Sequence, residues 1–164
     1  MRPQPDATDP GQESVWDYPR PPRLEPAGCR IQVVLGGITI ADTTGALRVL
    51  ETSHPPVYYL PPDGIVPGTL TPTGRRSFCE FKGWASYMSV TAGDRVEPDA
   101  AWGYANPSPG YEAMVGYVAF YAAPMDACYV DGERAQPQPG RFYGGWVTSK
   151  VAGPFKGVPG STSW

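Results

Sequence analysis

The chain has 164 residues, a length that suits one domain, and its 41% hydrophobic and 12% aromatic residues exclude a disordered chain despite 20 glycines and 21 prolines. A net charge of −3, with Arg75-Arg76 the only basic pair, excludes the basic face a nucleic-acid partner requires. No run of about 20 apolar residues and no signal-peptide pattern is present, so no membrane partner and a cytoplasmic location are expected.

Proline and glycine scattered among aromatic and β-branched runs predict a mainly β domain with many tight turns. Met1 to Ser14 is polar and proline-rich and reads as a flexible tail, leaving 15–164 as a single β-domain. Val15-Trp16-Asp17-Tyr18 is aromatic and is expected to pack, either on the core or on a second subunit. Ile31, Val33 and Leu35 alternate with Gln32 and Val34 as in a strand with one buried face. Gly36-Gly37 then supplies a hairpin into Ile38–Ala41. Ala46–Glu51 fits either period, and its brevity and the preceding Gly45 favour a strand. Pro55-Pro56 breaks regular structure, Val57–Leu60 resumes as a strand, and Pro61-Pro62-Asp63-Gly64 turns the chain.

Ser77–Val90 is the longest strand-like stretch. Its alternation places Phe78, Glu80, Lys82 and Trp84 on one side and Cys79, Phe81, Ala85 and Tyr87 on the other, with Gly83 marking a bulge, a turn or a close backbone approach. Thr91–Ala100 reads as a polar loop, Ala101–Tyr104 as a short aromatic strand and Asn106–Gly110 as a loop. Met114, Val115 and Val118 fit a helical stripe, predicting a short helical turn within 111–121. Ala127–Val130 is a strand entering a turn at Asp131-Gly132, and Phe142–Val147 is a second aromatic end expected to pack.

Cys29, Cys79 and Cys128 are an odd set without CxxC spacing, which points to reduced thiols. One histidine cannot complete an ordinary four-ligand zinc site, so no metal is expected, and no cofactor is implied. That histidine, His54, is the leading site candidate, because an imidazole serves as acid, base or ligand anchor near neutrality and Pro55-Pro56 restrains it. The plainer alternative is a histidine that caps a turn. Lys82 is either an anchor for an anionic or carbonyl ligand or a solvated residue. Cys79, three residues earlier, is either a thiol activated by that ammonium or a small buried hydrophobe. Tyr58, Tyr59, Trp84, Tyr87, Trp102 and Tyr104 either line a pocket or fill the core. Glu51 and Asp42 either pair with Arg48 or Lys82, or orient His54, or form surface ion pairs. The segments carrying His54, Lys82-Gly83 and Trp102–Tyr104 are expected to converge on one pocket. No phosphate-cradling loop, acidic metal pair or GxSxG elbow is present.

Taken together, several blocks resemble one family. They are Ile40-Ala41-Asp42, Leu50-Glu51 with His54-Pro55-Pro56-Val57-Tyr58-Tyr59, Cys79 with Lys82-Gly83 and Ala85-Ser86-Tyr87, Ala101-Trp102 with Tyr104, Ala119-Phe120-Tyr121, and Asp131-Gly132-Glu133. The chain resembles domain of unknown function 427, also labelled nucleotidyltransferase-like, over about residues 29–134. The flanking Trp16–Pro22 and Gly144–Trp164 segments are similar to those of longer members. The resemblance implies a β-tent, two antiparallel sheets meeting at an angle. That architecture also occurs in a guanine-nucleotide-release protein, second-class methionine sulfoxide reductases and the thalidomide-binding domain of cereblon. The CxxC pairs of those proteins are absent, so their chemistry does not follow from the fold. The leading expectation is a domain that binds a small metabolite in an aromatic pocket. The alternatives are an enzyme using His54 and Lys82, with or without Cys79, and a structural homodimer joined through its aromatic ends.

Overall fold

The computed structural model describes residues 2–164. Its strands, in chain order, are β1 (Glu13–Ser14), β2 (Arg23–Pro26), β3 (Ile31–Leu35), β4 (Ile38–Thr43), β5 (Leu47–Leu50), β6 (Val57–Tyr59), β7 (Leu70–Cys79) and β8 (Gly83–Ala92). They continue as β9 (Arg95–Gly103), β10 (Val118–Phe120), β11 (Ala127–Val130), β12 (Glu133–Arg134), β13 (Gln136–Pro137), β14 (Trp146–Val147) and β15 (Val151–Ala152). Among the described residues the helical segments are three short 3-10 turns, at Val15–Asp17, Pro62–Gly64 and Glu112–Met114, and none is long and apolar enough to cross a membrane.

The protein is mainly β, with almost wholly antiparallel pairing. One sheet runs β12-β11-β3-β4. A second runs β10-β9-β8-β7, and a three-stranded sheet β2-β5-β6 abuts it. The join is a reciprocal pair of backbone bonds between Leu60 and Val118, at 2.8 and 2.9 Å. These two sheets therefore form one continuous hydrogen-bonded surface opposite the first. The main core lies between the layers. Ile31, Val33, Leu35 and Ile40 meet Val90, Ala101, Phe120 and Trp146, all essentially inaccessible. The alternation of β3 is the cause, since Gln32 and Val34 are only partly covered while its odd-numbered residues are fully buried.

The Gly36-Gly37 hairpin forms as expected, with both φ angles positive at 61° and 74°. A side chain at Gly36 would also meet the Ala92 carbonyl, 2.5 Å from an ideal Cβ, so glycine lets this hairpin touch the opposite layer. Leu47–Leu50 is a strand, paired on both sides. Asp131-Gly132 turns the chain with φ 47° and 80° between β11 and β12.

Two sequence expectations need correction, and a third, the short helical turn, is present but shorter than its apolar stripe implied. Ser77–Val90 is not one strand. The chain reverses through Glu80-Phe81-Lys82, with Cys79 opposite Gly83 and Phe78 opposite Trp84. Alternation continued across this turn because nothing before Gly83, whose φ is 99°, interrupts it. Thr91–Ala100 is not a loop. A tight turn at Gly93-Asp94 leads straight into β9, whose first half, Arg95–Asp99, reads as a loop because it carries three charges and a proline and is exposed or only half-buried. A bulge between the Met88–Ala101 and Val90–Glu97 pairs accommodates Pro98 and the positive φ of Asp99. Within 111–121 the helical turn ends at Met114. Gly116 has φ 79°, and Val118 belongs to β10 rather than to a helical stripe.

The ends fold back onto the chain. Asp6 donates its N–H to the Gly153 carbonyl, and β1 pairs in parallel with β15, so Glu13–Ser14 of the expected tail is strand. Val15, Trp16 and Tyr18 form a third apolar cluster with Leu50 and Val151, flanked by Phe155 and Trp164. Trp146, from the other aromatic end, is in the main core and donates its indole N–H to the Phe120 carbonyl at 3.0 Å.

Candidate functional site

Beside the main core, Val49, Tyr59, Tyr87, Trp102, Tyr104 and Met114 form a second buried cluster on the face of the joined sheets. A cleft of about 250 Å³ opens against it. Its walls come from separate places: the end of β5 and the turn to β6, the β7–β8 turn, β9, and the segment from Gln138 to Gly144. His54, Cys79, Lys82, Tyr87, Trp102 and Tyr104 all line it. Tyr58 does not. It points to the opposite side of β6, into the main core, with its ring 5.4 Å from that of Trp146. Trp84 does not either. It is half exposed on the outer face of the β7–β8 hairpin, against Phe78 at 5.2 Å and under the Arg76 guanidinium at 4.7 Å. Asp42 lies away from the cleft, bonded to Arg30, and Arg48 joins Glu13 and Glu25.

His54 follows Ser53, a buried residue with φ 73°. That unusual backbone is tied at both ends, by the Ser53 N–H to the Val15 carbonyl and by the Lys156 N–H to the Ser53 carbonyl. The N- and C-terminal segments thus hold the turn that presents the imidazole. Gln138, itself buried, defines the state of the ring. Its Oε1 accepts from the Gly145 N–H at 3.0 Å and its Nε2 donates to the Lys156 carbonyl at 2.9 Å, so the amide orientation is set by backbone partners. Nε2 also lies 2.9 Å from His54 Nδ1, which must therefore accept. The proton then sits on Nε2, 3.6 Å from the Glu51 carboxylate. Burial drives the imidazole pKa down to about 4. Glu51 opposes this, while the cations Lys156, Arg20 and Lys82 reinforce it. The histidine is neutral, with its only free lone pair committed to Gln138, an arrangement that poorly suits a general base.

Lys82 is carried into the cleft by the turn that Gly83 closes, and the Ser108 N–H braces that turn on the Lys82 carbonyl at 2.9 Å. Only 9% of the residue is exposed, and its ammonium donates to Cys79 Sγ at 3.3 Å. Burial works against the charge, but the neighbouring Tyr59 and Cys79 groups outweigh it. The pKa moves above the ordinary lysine value, so the group is cationic at neutral pH. Tyr59 and Tyr104 are held as phenols by burial, and the Trp102 indole donates to the Tyr59 hydroxyl at 3.3 Å. Tyr87 shares a 2.9 Å hydrogen bond with Ser77.

Sequence reasoning missed the wall formed by Gln138, Tyr143 and Gly144, together with Tyr121 and Lys156. Tyr143 meets the His54 ring edge-on at 5.0 Å, and Lys156 Nζ sits 5.8 Å from the Tyr143 ring centre. A side chain at Gly144 would collide with the Trp102 ring. Gly144-Gly145 between aromatic residues was the available signal, as a mark of close backbone approach. Nothing in the sequence near Gln138, set among prolines, pointed to His54. Among the described residues no three His, Cys, Asp or Glu side chains gather as a metal site.

None of the curated proteins matches this chain significantly. A family profile, described as a domain of unknown function (DUF427), matches residues 23–131, which carry every strand from β2 through β11 and with them His54, Lys82 and Trp102, and the chain belongs to that family.

Proposed function

We propose that this protein is a β-tent domain that binds a small, partly aromatic or heterocyclic metabolite in the cleft beside His54 and Lys82. One observation carries the reading: four segments distant in sequence bring flat aromatic walls and a few buried polar groups to a single concave site of about 250 Å³. Aromatic walls with sparse, oriented polar groups are what small-ligand recognition requires. The polar groups are held before any ligand arrives. Gln138 sets the His54 tautomer, and the braced hairpin sets Lys82. Such preorganisation lowers the ordering cost of binding.

A thermal-shift screen of a metabolite library tests this on wild type and on Trp102→Leu. A ligand at about a hundredfold excess over its Kd stabilises the folded state by about 2.7 kcal/mol, and the variant is expected to lose most of that gain. If no compound stabilises the wild type, or the variant responds equally, the site is misassigned.

The 3.3 Å contact between Lys82 and Cys79 favours one second reading, an enzyme in which Cys79 acts as nucleophile beside the Lys82 charge. His54 has no base role in it. Metabolite profiling of cell extract incubated with wild type and Cys79→Ser separates the two readings. Turnover that persists in the variant would remove the thiol mechanism.

A further inference from the structure

We propose that the molecule taken up by this cleft is a small planar anion, an aromatic or heteroaromatic carboxylate built on one ring, with its charged group seated against Lys82. This rests on the reading of the cleft as a ligand site and adds the charge, size and orientation of the occupant.

The sign of the charge follows from Lys82. Lys82 is nine-tenths buried as a residue, its ammonium has three N–H donors, and the one hydrogen bond that it makes goes to sulfur, a weak acceptor. Among the described residues no carboxylate lies within 4.0 Å of it, whereas the partly buried Arg48 is paired with both Glu13 and Glu25. A buried, unanswered charge is costly, and a carboxylate brought by a ligand offsets that cost with charge-assisted hydrogen bonds. The two acidic residues on the cleft walls do not serve this purpose. Glu51 is engaged by Arg20 at 3.1 Å, and Glu80 is exposed on the turn.

A second observation agrees. Three cations, Lys156, Arg20 and Lys82, lie near His54 against the single carboxylate of Glu51, which Arg20 already pairs at 3.1 Å. The Tyr59 hydroxyl already accepts from the Trp102 indole, which leaves its own hydrogen to donate to an anion beside Lys82. Size and flatness follow from the walls. Trp102 is fixed between Tyr59 and Tyr121, with ring centres 6.4 and 4.5 Å away, and the volume of about 250 Å³ falls below the roughly 300–1,000 Å³ of typical ligand pockets. One ring with a short charged substituent fits that space.

Benzoate, benzamide and benzylamine share one ring and carry negative, neutral and positive substituents. Each is titrated into the wild-type protein while amide shifts are followed by NMR, then into Lys82→Met. Benzoate is expected to bind tightest, with shifts centred on Trp102 and Tyr104. The variant should weaken benzoate about tenfold to a hundredfold, as removal of a charged hydrogen-bond partner does, and should leave benzamide unchanged. If benzamide or benzylamine binds as well as benzoate, the anion assignment is overturned while the aromatic cleft stands. The same follows if Lys82→Met retains benzoate affinity. Should none of the three perturb the cleft residues, the ligand site itself falls. If Lys82→Met does not fold, the ranking in wild type decides alone.

Discussion

His54 illustrates how one residue's environment sets its behaviour. In the folded chain its imidazole titrates near 4, against 6.5 for an ordinary histidine. Between those values the unfolded chain binds the extra proton. The stabilising contribution is therefore complete above about pH 6.5 and is lost as pH falls toward 4, to a total of about 3 kcal/mol. Carboxylates such as Glu13 and Glu25, held low chiefly by hydrogen bonds to arginine against the cost of burial, lose their contributions at lower pH still. Comparing denaturant unfolding of wild type and His54→Gln at about pH 7 and about pH 4 isolates the histidine. The variant is expected to lose less stability over that interval, and equal losses would contradict the neutral, Gln138-bound state. Gly144 makes a second residue-scale case. Gly144→Ala drives a methyl group into the Trp102 ring, and an expected loss of about 1–3 kcal/mol should accompany a shift in tryptophan fluorescence.

At the scale of elements, the β7–β8 hairpin positions Lys82 and Cys79 together. Gly83 closes it with φ 99°, a region costly for other residues, and its α-carbon faces Ser108, with an ideal Cβ 3.4 Å from the Ser108 hydroxyl. Gly83→Ala is expected to cost about 1–2 kcal/mol. If the hairpin rather than the core alone holds Lys82, the same change weakens ligand binding more than this modest destabilisation explains. Calorimetric titration beside equilibrium unfolding checks both. The hairpin was partly legible: Gly83 announced a turn or a bulge, but alternation ran through Glu80 and Lys82 without a break, so the reversal stayed hidden.

Across the whole molecule, the two termini are structural parts of the domain. The N-terminal cluster around Trp16 closes over Leu50 and steadies Ser53, while Trp146 fills the space between the layers. Trp146→Ala is expected to destabilise the domain by about 3–5 kcal/mol, measured as a lowered denaturant midpoint. A change under about 1 kcal/mol would mean that the segment packs loosely. Because Gln138 and Tyr143 lie on the chain just before Trp146, the variant should also release His54, raising its pKa toward the ordinary value in an NMR titration.

The sequence by itself determined what local rules govern. Alternation in Ile31–Leu35 and paired glycines at 36–37 demanded a hairpin, the aromatic content demanded a packed β-domain, and the blocks around His54 and Lys82 marked the family. Only the tertiary structure decided which face each aromatic residue took. Tyr58 and Tyr59 are adjacent and chemically alike, yet strand alternation sends one to the core and the other to the cleft cluster, and the choice depends on register with β5. Likewise Trp84 and Trp102 sit on neighbouring strands of one sheet, yet Trp102 shares the cleft face with its partner Tyr87 while Trp84 takes the opposite face. The state of His54 depends on Gln138, eighty-four residues away along the chain. A long-range contact of that kind leaves no periodic trace in one sequence, because it is made by the packing of whole segments rather than by the preference of any residue in them.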